Sequence, residues 1–129
     1  MRGIDTNIVV RLLTADDAEQ AQAARRAIEG KEIFLGVTVL LEAEWVLRAG
    51  YDFKPAQIAG ALRGLAGLPG MTVEEPAQLA LALEWMEGGM DFADALHLAR
   101  SDHCTEFLTF DRKLAKRAKA LNTMPVVIP

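Results

Sequence analysis

The residues best equipped for chemistry are acids set where apolar runs end. Asp5 closes the short stub Arg2-Gly3-Ile4 and is followed by Thr6, Asn7 and an apolar-periodic run from Ile8. Asp111 follows Glu106-Phe107-Leu108-Thr109-Phe110, and Asp91 and Asp94 bracket Phe92-Ala93. Glu42 sits inside the apolar run Val39 to Arg48, between Val39 and the pair Trp45-Val46, which places it on the apolar face. In a parallel sheet all strand carboxyl ends lie on one edge, where ligands bind, so Asp5 and Asp111 occupy the usual place for a site. Asp94 and Glu42 have apolar neighbours and are expected to point inward. Four carboxylates in one cleft repel and cannot all ionise unaided. A hard divalent cation, Mg²⁺ or Mn²⁺, resolves that conflict with a few carboxylates and waters. The chemistry this supports is metal-assisted phosphodiester hydrolysis, with an activated water and a stabilised pentavalent phosphate.

A plainer account competes with this one. Asp5, Asp91 and Asp111 each stand just before a helical run, and Asp is a preferred N-cap worth about 1 kcal/mol. Asp94, three residues after Asp91, fits the second half of a capping-box-like pair. No Gly-rich phosphate loop, Cys/His metal cluster or nucleophile elbow is present. His97 reads either as a packed histidine or as a phosphate contact. Five of the fourteen basic residues lie in Arg112 to Lys119, directly after Asp111. Lys113, Lys116 and Arg117 share a helix face there. That face is either a solvated surface or a set of contacts to a nucleic-acid backbone, with Arg11 a further candidate.

Strand-like and helical stretches alternate throughout. Helices are expected from Ile8 to Leu13, from Asp16-Asp17 to about Glu29, and from a Thr38 cap through Val39 to Arg48. Further helices are expected over Pro55–Leu68, Pro76–Glu87, Phe92 to about His103, and Arg112–Leu121. Short strands are expected at Ile33–Leu35, Met71–Val73, Glu106–Thr109 and Pro125–Ile128, besides the amino-terminal stub. Glu44, with Arg48 four residues on, reads as half of an exposed ion pair. Gly60, Gly64 and Gly67 weaken the Pro55 helix. Leu81 and Trp85 form a second apolar face on the Pro76 helix, as for contact with a second layer or a second subunit. This alternation predicts an α/β fold with a short, mostly parallel central sheet flanked by helices.

The chain has 129 residues, read as one domain, 1–129, able to bury a core without staples. Its net charge of −4 gives no global attraction for a polyanion, so such a partner needs a local basic patch or cations. The single cysteine, Cys104, excludes an internal disulfide and fits a reducing compartment. Polar residues interrupt the first twenty positions, so no signal peptide is read there. The longest apolar stretch, Ile33 to Leu41, is too short to span a bilayer. A cytoplasmic protein with no membrane association is expected.

Four stretches, GIDTN, TVLLEAEWVL, DFADALHLA and LTFDRKLA, stand in the order and spacing of a known family. The chain resembles the PIN-domain ribonucleases, and among them the VapC-like toxins of bacterial type II toxin–antitoxin pairs. The resemblance runs from Asp5 to Leu114. It implies a three-layer PIN-like fold and a Mg²⁺-dependent endoribonuclease whose catalytic, metal-binding acids are Asp5, Glu42, Asp94 and Asp111. Thr6, Asn7, Asp91 and Thr109 would be the polar residues that support those acids. The resemblance also implies an RNA substrate, a homodimer and a small cognate antitoxin that blocks the site.

Two other readings are carried forward. In one the acids only cap helices and the Leu81/Trp85 face binds a partner, giving a non-catalytic interaction domain. In the other, weaker one, Asp5 is the nucleophile of a phosphatase; such enzymes usually carry a second Asp two residues later, where this chain has Asn7.

Overall fold

The alternating periods produce seven helices and five strands in a computed structural model that describes residues 1–129. The chain divides into two units, Met1–Glu75 and Pro76–Pro129. No helix is long and apolar enough to cross a membrane.

The first unit contains β1 (Arg2–Gly3), α1 (Thr6–Leu13), α2 (Ala18–Ile28), β2 (Ile33–Leu35), α3 (Val37–Tyr51), α4 (Pro55–Ala66) and β3 (Met71–Val73). Its strands pair in the order β1-β2-β3, all parallel, with Arg2 opposite Ile33 and Ile33 opposite Met71. Parallel pairing puts the residues after each strand on one edge: Asp5 after β1, the start of α3 after β2, and Glu74 after β3. The turn into β3 depends on Gly70, which has φ +83°. A Cβ there would lie 2.3 Å from the Lys31 carbonyl oxygen, so only glycine fits. Val9, Leu35, Leu40, Leu47, Ile58 and Leu62 are fully buried. Each such side chain contributes roughly 1.5–3 kcal/mol on burial.

The second unit contains α5 (Pro76–Glu87), α6 (Phe92–Ala99), β4 (Phe107–Leu108), α7 (Arg112–Ala120) and β5 (Val126–Val127). Helices α5 and α6 pack against each other, α5 burying Leu79, Ala82, Leu83 and Met86, and α6 burying Phe92, Ala95, Leu96, Leu98 and Ala99. β4 and β5 pair in parallel, with Phe107 opposite Val126. Helix α7 buries only Leu114 and Ala118, an i,i+4 pair, and leaves its basic side chains on the surface. The mixed α/β architecture with short parallel sheets therefore agrees with the sequence expectation, each element lying within a few residues of its expected place.

The differences have physical causes. Helix α3 starts at Val37, not after a Thr38 cap, and its N-cap residue, Gly36, offers no side chain. The carboxylate of Glu74 supplies the cap from β3's far end, accepting from the Val37 N–H at 2.9 Å. The helix also runs past Gly50 to Tyr51 and ends at Asp52, which takes the left-handed conformation with φ 56°. Helix α6 stops earlier than expected, at Ala99. Helix α4 survives its glycines because Gly60 and Gly64 lie on the exposed side, opposite Ile58, Leu62 and Leu65.

The phase of α3 is the largest correction. Its buried face is Val37, Leu40, Ala43, Glu44 and Leu47. Glu44 is 3% exposed, whereas Glu42 is exposed and its neighbour Trp45 is 58% exposed. The two glutamates thus exchange the places that periodicity assigned them. The helix is apolar nearly all round, so the pattern alone could not select the core face. Arg48 reaches the buried Glu44 carboxylate through Nε at 2.8 Å and Nη2 at 3.3 Å, so the expected pair forms with its acid end buried. Glu44→Ala should therefore cost about 1–3 kcal/mol of stability in chemical denaturation, the scale of disrupting a buried charge-assisted hydrogen bond. Glu42→Ala should change stability by no more than about 0.5 kcal/mol, as at an ordinary surface position. The reverse ranking would restore the phase read from the sequence.

Candidate functional site

In the first unit the backbone leaves β1 and turns into α1 through Asp5. The Asp5 carboxylate caps that helix, its Oδ1 accepting from the Thr6 N–H at 2.7 Å. Thr6 is buried and Asn7 exposed. Helix α3 packs against α1 and brings Glu42 to the same concavity. Asp5, Thr6, Asn7, Arg11, Glu42 and Tyr51 line a cleft of about 360 Å³ floored by Val10 and Val46. Glu42 thus reaches this cleft from the outer face of α3 and not from the core side.

Arg11 is not a free surface cation. Its Nε donates to Gln20 Oε1 at 2.6 Å, and its Nη1 donates to Asp16 Oδ1 and to the Tyr51 hydroxyl, each at 3.3 Å. The Tyr51 hydroxyl in turn donates to the other Asp16 oxygen. Hydrogen bonds from Tyr51 and Thr14, together with the Arg11 charge, hold the Asp16 carboxyl below its ordinary value against a desolvation cost. Tyr51, the chain's one tyrosine, and Asp16 carry no signal of this role in the sequence. The pairing spans 35 residues, and no local spacing announces it.

In the second unit a cavity of about 600 Å³ is lined by Asp91, Asp94, Asp111, Lys113, Lys116 and Arg117, among others. Asp91 caps α6, its Oδ1 accepting from the Asp94 N–H at 3.1 Å. Asp111 caps α7, its Oδ1 accepting from the N–H groups of Lys113 at 2.9 Å and Leu114 at 3.1 Å. Thr109 steadies this turn, its Oγ1 accepting from the Asp111 N–H at 3.0 Å. Arg117 lies against Gly89, whose φ is +103° and whose missing Cβ would stand 2.9 Å from the guanidinium carbon. Its Nη1 donates to the Gly88 carbonyl at 3.4 Å, so the end of α5 holds one edge of this arginine at the cavity wall. His97 is exposed, which rules out the packed role, and its charge faces Asp94.

Asp94 feels the charges of its two acidic neighbours in this cavity. Burial first, then the charges of Asp91 and Asp111, push the Asp94 carboxyl above its ordinary value, and His97 only partly offsets them. As placed, no three Asp, Glu, His or Cys side chains form a group that could hold a metal ion on their own. A Mg²⁺ ion asks for less than that, because it keeps several waters and takes one or two carboxylates. Asp91, Asp94 and Asp111 line one cavity and offer only oxygen donors, with Asp94 partly desolvated, and oxygen donors are the chemistry a hard cation takes. The same acids cap helices, so the capping account is correct for Asp5, Asp91 and Asp111 without exhausting their capacity.

The raised Asp94 value sets a pH dependence. A carboxyl whose folded value lies above its unfolded one favours the fold while protonated and loses that contribution as pH rises through the folded value. Ionised Asp94 is thus a net cost to the metal-free fold at neutral pH. In a chelating buffer Asp94→Asn should melt higher than the wild type at pH 7, and the gap should close as pH falls below the ordinary value of 3.8. A variant that melts lower at pH 7 would mean that the Asp94 charge is already compensated within the chain.

No curated protein matches this chain. Among solved structures it is similar to VapC20 of Mycobacterium tuberculosis, described as a Sarcin-Ricin loop cleaving toxin. That match has a TM-score of 0.44 at 20% identity and covers 100% of both chains. A family model, the PIN domain, matches residues 4–120, and by that match across most of its length this chain belongs to the PIN domain family.

Proposed function

We propose that this chain is a single-domain, metal-dependent endoribonuclease, the toxin of a bacterial toxin–antitoxin pair acting in the cytoplasm. Asp5, Glu42, Asp94 and Asp111 are its metal-binding acids, with Mg²⁺ as the cation and Mn²⁺ as a substitute. The observation that carries the reading is the cavity of the second unit. It combines Asp94, its carboxyl raised by burial and by Asp91 and Asp111, with a wall of Lys113, Lys116 and Arg117. Carboxylates that need a cation beside cations that need an anion are what a phosphodiester site requires. Membership of the PIN domain family supports the same chemistry.

A divalent cation held by Asp5, Glu42, Asp94 and Asp111 would supply Lewis acidity and lower the pKa of a bound water. The chain's own residues do the rest. Capping bonds hold the Asp5 and Asp111 carboxylates in fixed orientations, each through Oδ1. Thr109 fixes the turn that presents Asp111. Lys113, Lys116 and Arg117 take phosphates flanking the scissile bond, giving an acidic chain a local grip on RNA. A small cognate antitoxin would silence the enzyme by covering this ground. A homodimer would use apolar helix surface such as Leu81, which is 38% exposed.

Asp5→Asn and Asp94→Asn test the reading, because both keep the side chain's size and Asn at position 5 still caps α1 about as well as Asp. With Mg²⁺ or Mn²⁺ present, each should slow RNA cleavage by about 10²–10³-fold, the scale of losing one group that stabilises transition-state charge. Both should stay folded. Full activity in both variants would leave only the capping role.

A further inference from the structure

The Arg11 cluster is more elaborate than a surface tie requires. A guanidinium carries five N–H donors in a planar fork. Arg11 spends its Nε on Gln20 and its Nη1 on Asp16 and Tyr51, while Nη2 donates to no group of the chain. Three elements hold the fork still: Asp16 from the turn after α1, Gln20 from α2 and Tyr51 from the end of α3. Arg11 is also half-buried, and both it and Tyr51 line the cleft that holds Asp5 and Glu42. An arginine held through Nε and Nη1 at the wall of this cleft, with the two Nη2 donors left over, is a preorganised cationic group for an anion. The two N–H groups of Nη2 remain to donate charge-assisted hydrogen bonds to phosphate oxygens.

We propose that Arg11 binds a backbone phosphate of the RNA through its Nη2 edge, with Tyr51 and Asp16 as positioning residues that fix the guanidinium beside Asp5 and Glu42. This rests on the nuclease reading above and adds a substrate subsite to it. The division of labour is specific. Arg11 carries the charge that meets the phosphate. The Tyr51 hydroxyl holds both Asp16 and Arg11, so removing it loosens the fork without removing any charge.

The test uses the full chain with Mg²⁺, a short single-stranded RNA and the variants Arg11→Gln, Arg11→Lys and Tyr51→Phe, each checked for melting temperature. Arg11→Gln should raise KM about tenfold, the worth of one charge-assisted hydrogen bond, with a smaller effect on kcat. Measured in an Asp94→Asn background that binds without cutting, Arg11→Gln should also flatten the log–log salt dependence of RNA binding by roughly 0.7. Arg11→Lys and Tyr51→Phe keep the charge, so both should keep the wild-type slope while raising KM. If Arg11→Gln only lowers the melting temperature and leaves KM and slope unchanged, the cluster is a structural tie and the proposal is overturned. Should Arg11→Gln not fold, wild-type KM in both Arg11→Lys and Tyr51→Phe overturns it equally. Absence of RNA cleavage and binding by the wild type is a separate result, which removes the nuclease reading and this subsite with it.

Discussion

Helix capping by aspartate is the constraint on which the rest depends. Asp5 and Asp111 each follow a strand and begin a helix, Asp91 begins α6 after the turn that ends α5, and each spends Oδ1 on backbone N–H groups of the first turn. A cap stabilises its helix by about 1 kcal/mol, which alone would explain the residue type. At Asp5 and Asp111 it also immobilises a carboxylate just past the carboxyl end of a strand, where parallel sheets present ligands. The capping and functional accounts therefore describe two oxygens of the same group. An Asn would satisfy the helix equally well, so the cap by itself does not call for the charge that an acid brings.

Charge is also where the protein is least comfortable. Asp94 lies in the first turn of α6, half-buried, with Asp91 and Asp111 near enough to raise its carboxyl and only His97 opposing them. Arg117, on the wall of the same cavity, does not neutralise these acids, because it is turned against Gly89 and the Gly88 carbonyl. In the other unit, Arg11 is engaged by Asp16, Tyr51 and Gln20. Each cleft thus keeps its acids beside an arginine that is anchored elsewhere. That arrangement is the one the proposed binding of a divalent cation and an RNA backbone would draw on.

The sequence made the order and type of every element legible, because turn residues and apolar periods agree along most of the chain. Asp5, Asp91 and Asp111 were legible as caps for the same local reason. Features set by tertiary contacts were not. Helix α3 is apolar on both faces, so periodicity placed Glu42 in the core and Glu44 at the surface, and packing reversed them. The cap on α3 comes from Glu74, 37 residues away, and no local spacing announces it. Tyr51 was equally illegible, because its partners, Asp16 and Arg11, are brought to it only by the packing of α1 and α3.

The central claim is that these acids are kept as acids in order to hold a divalent cation. Its most direct test is a Mn²⁺ titration of the full chain followed by electron paramagnetic resonance of the free ion, for the wild type, Asp5→Asn and Asp94→Asn. Losing even an outer partner of a metal site costs about 10–100-fold in affinity. The account predicts that the wild type depletes free Mn²⁺ and that each variant binds at least about tenfold more weakly, at unchanged fold. Equal Mn²⁺ binding by all three proteins, or none by the wild type, would contradict it.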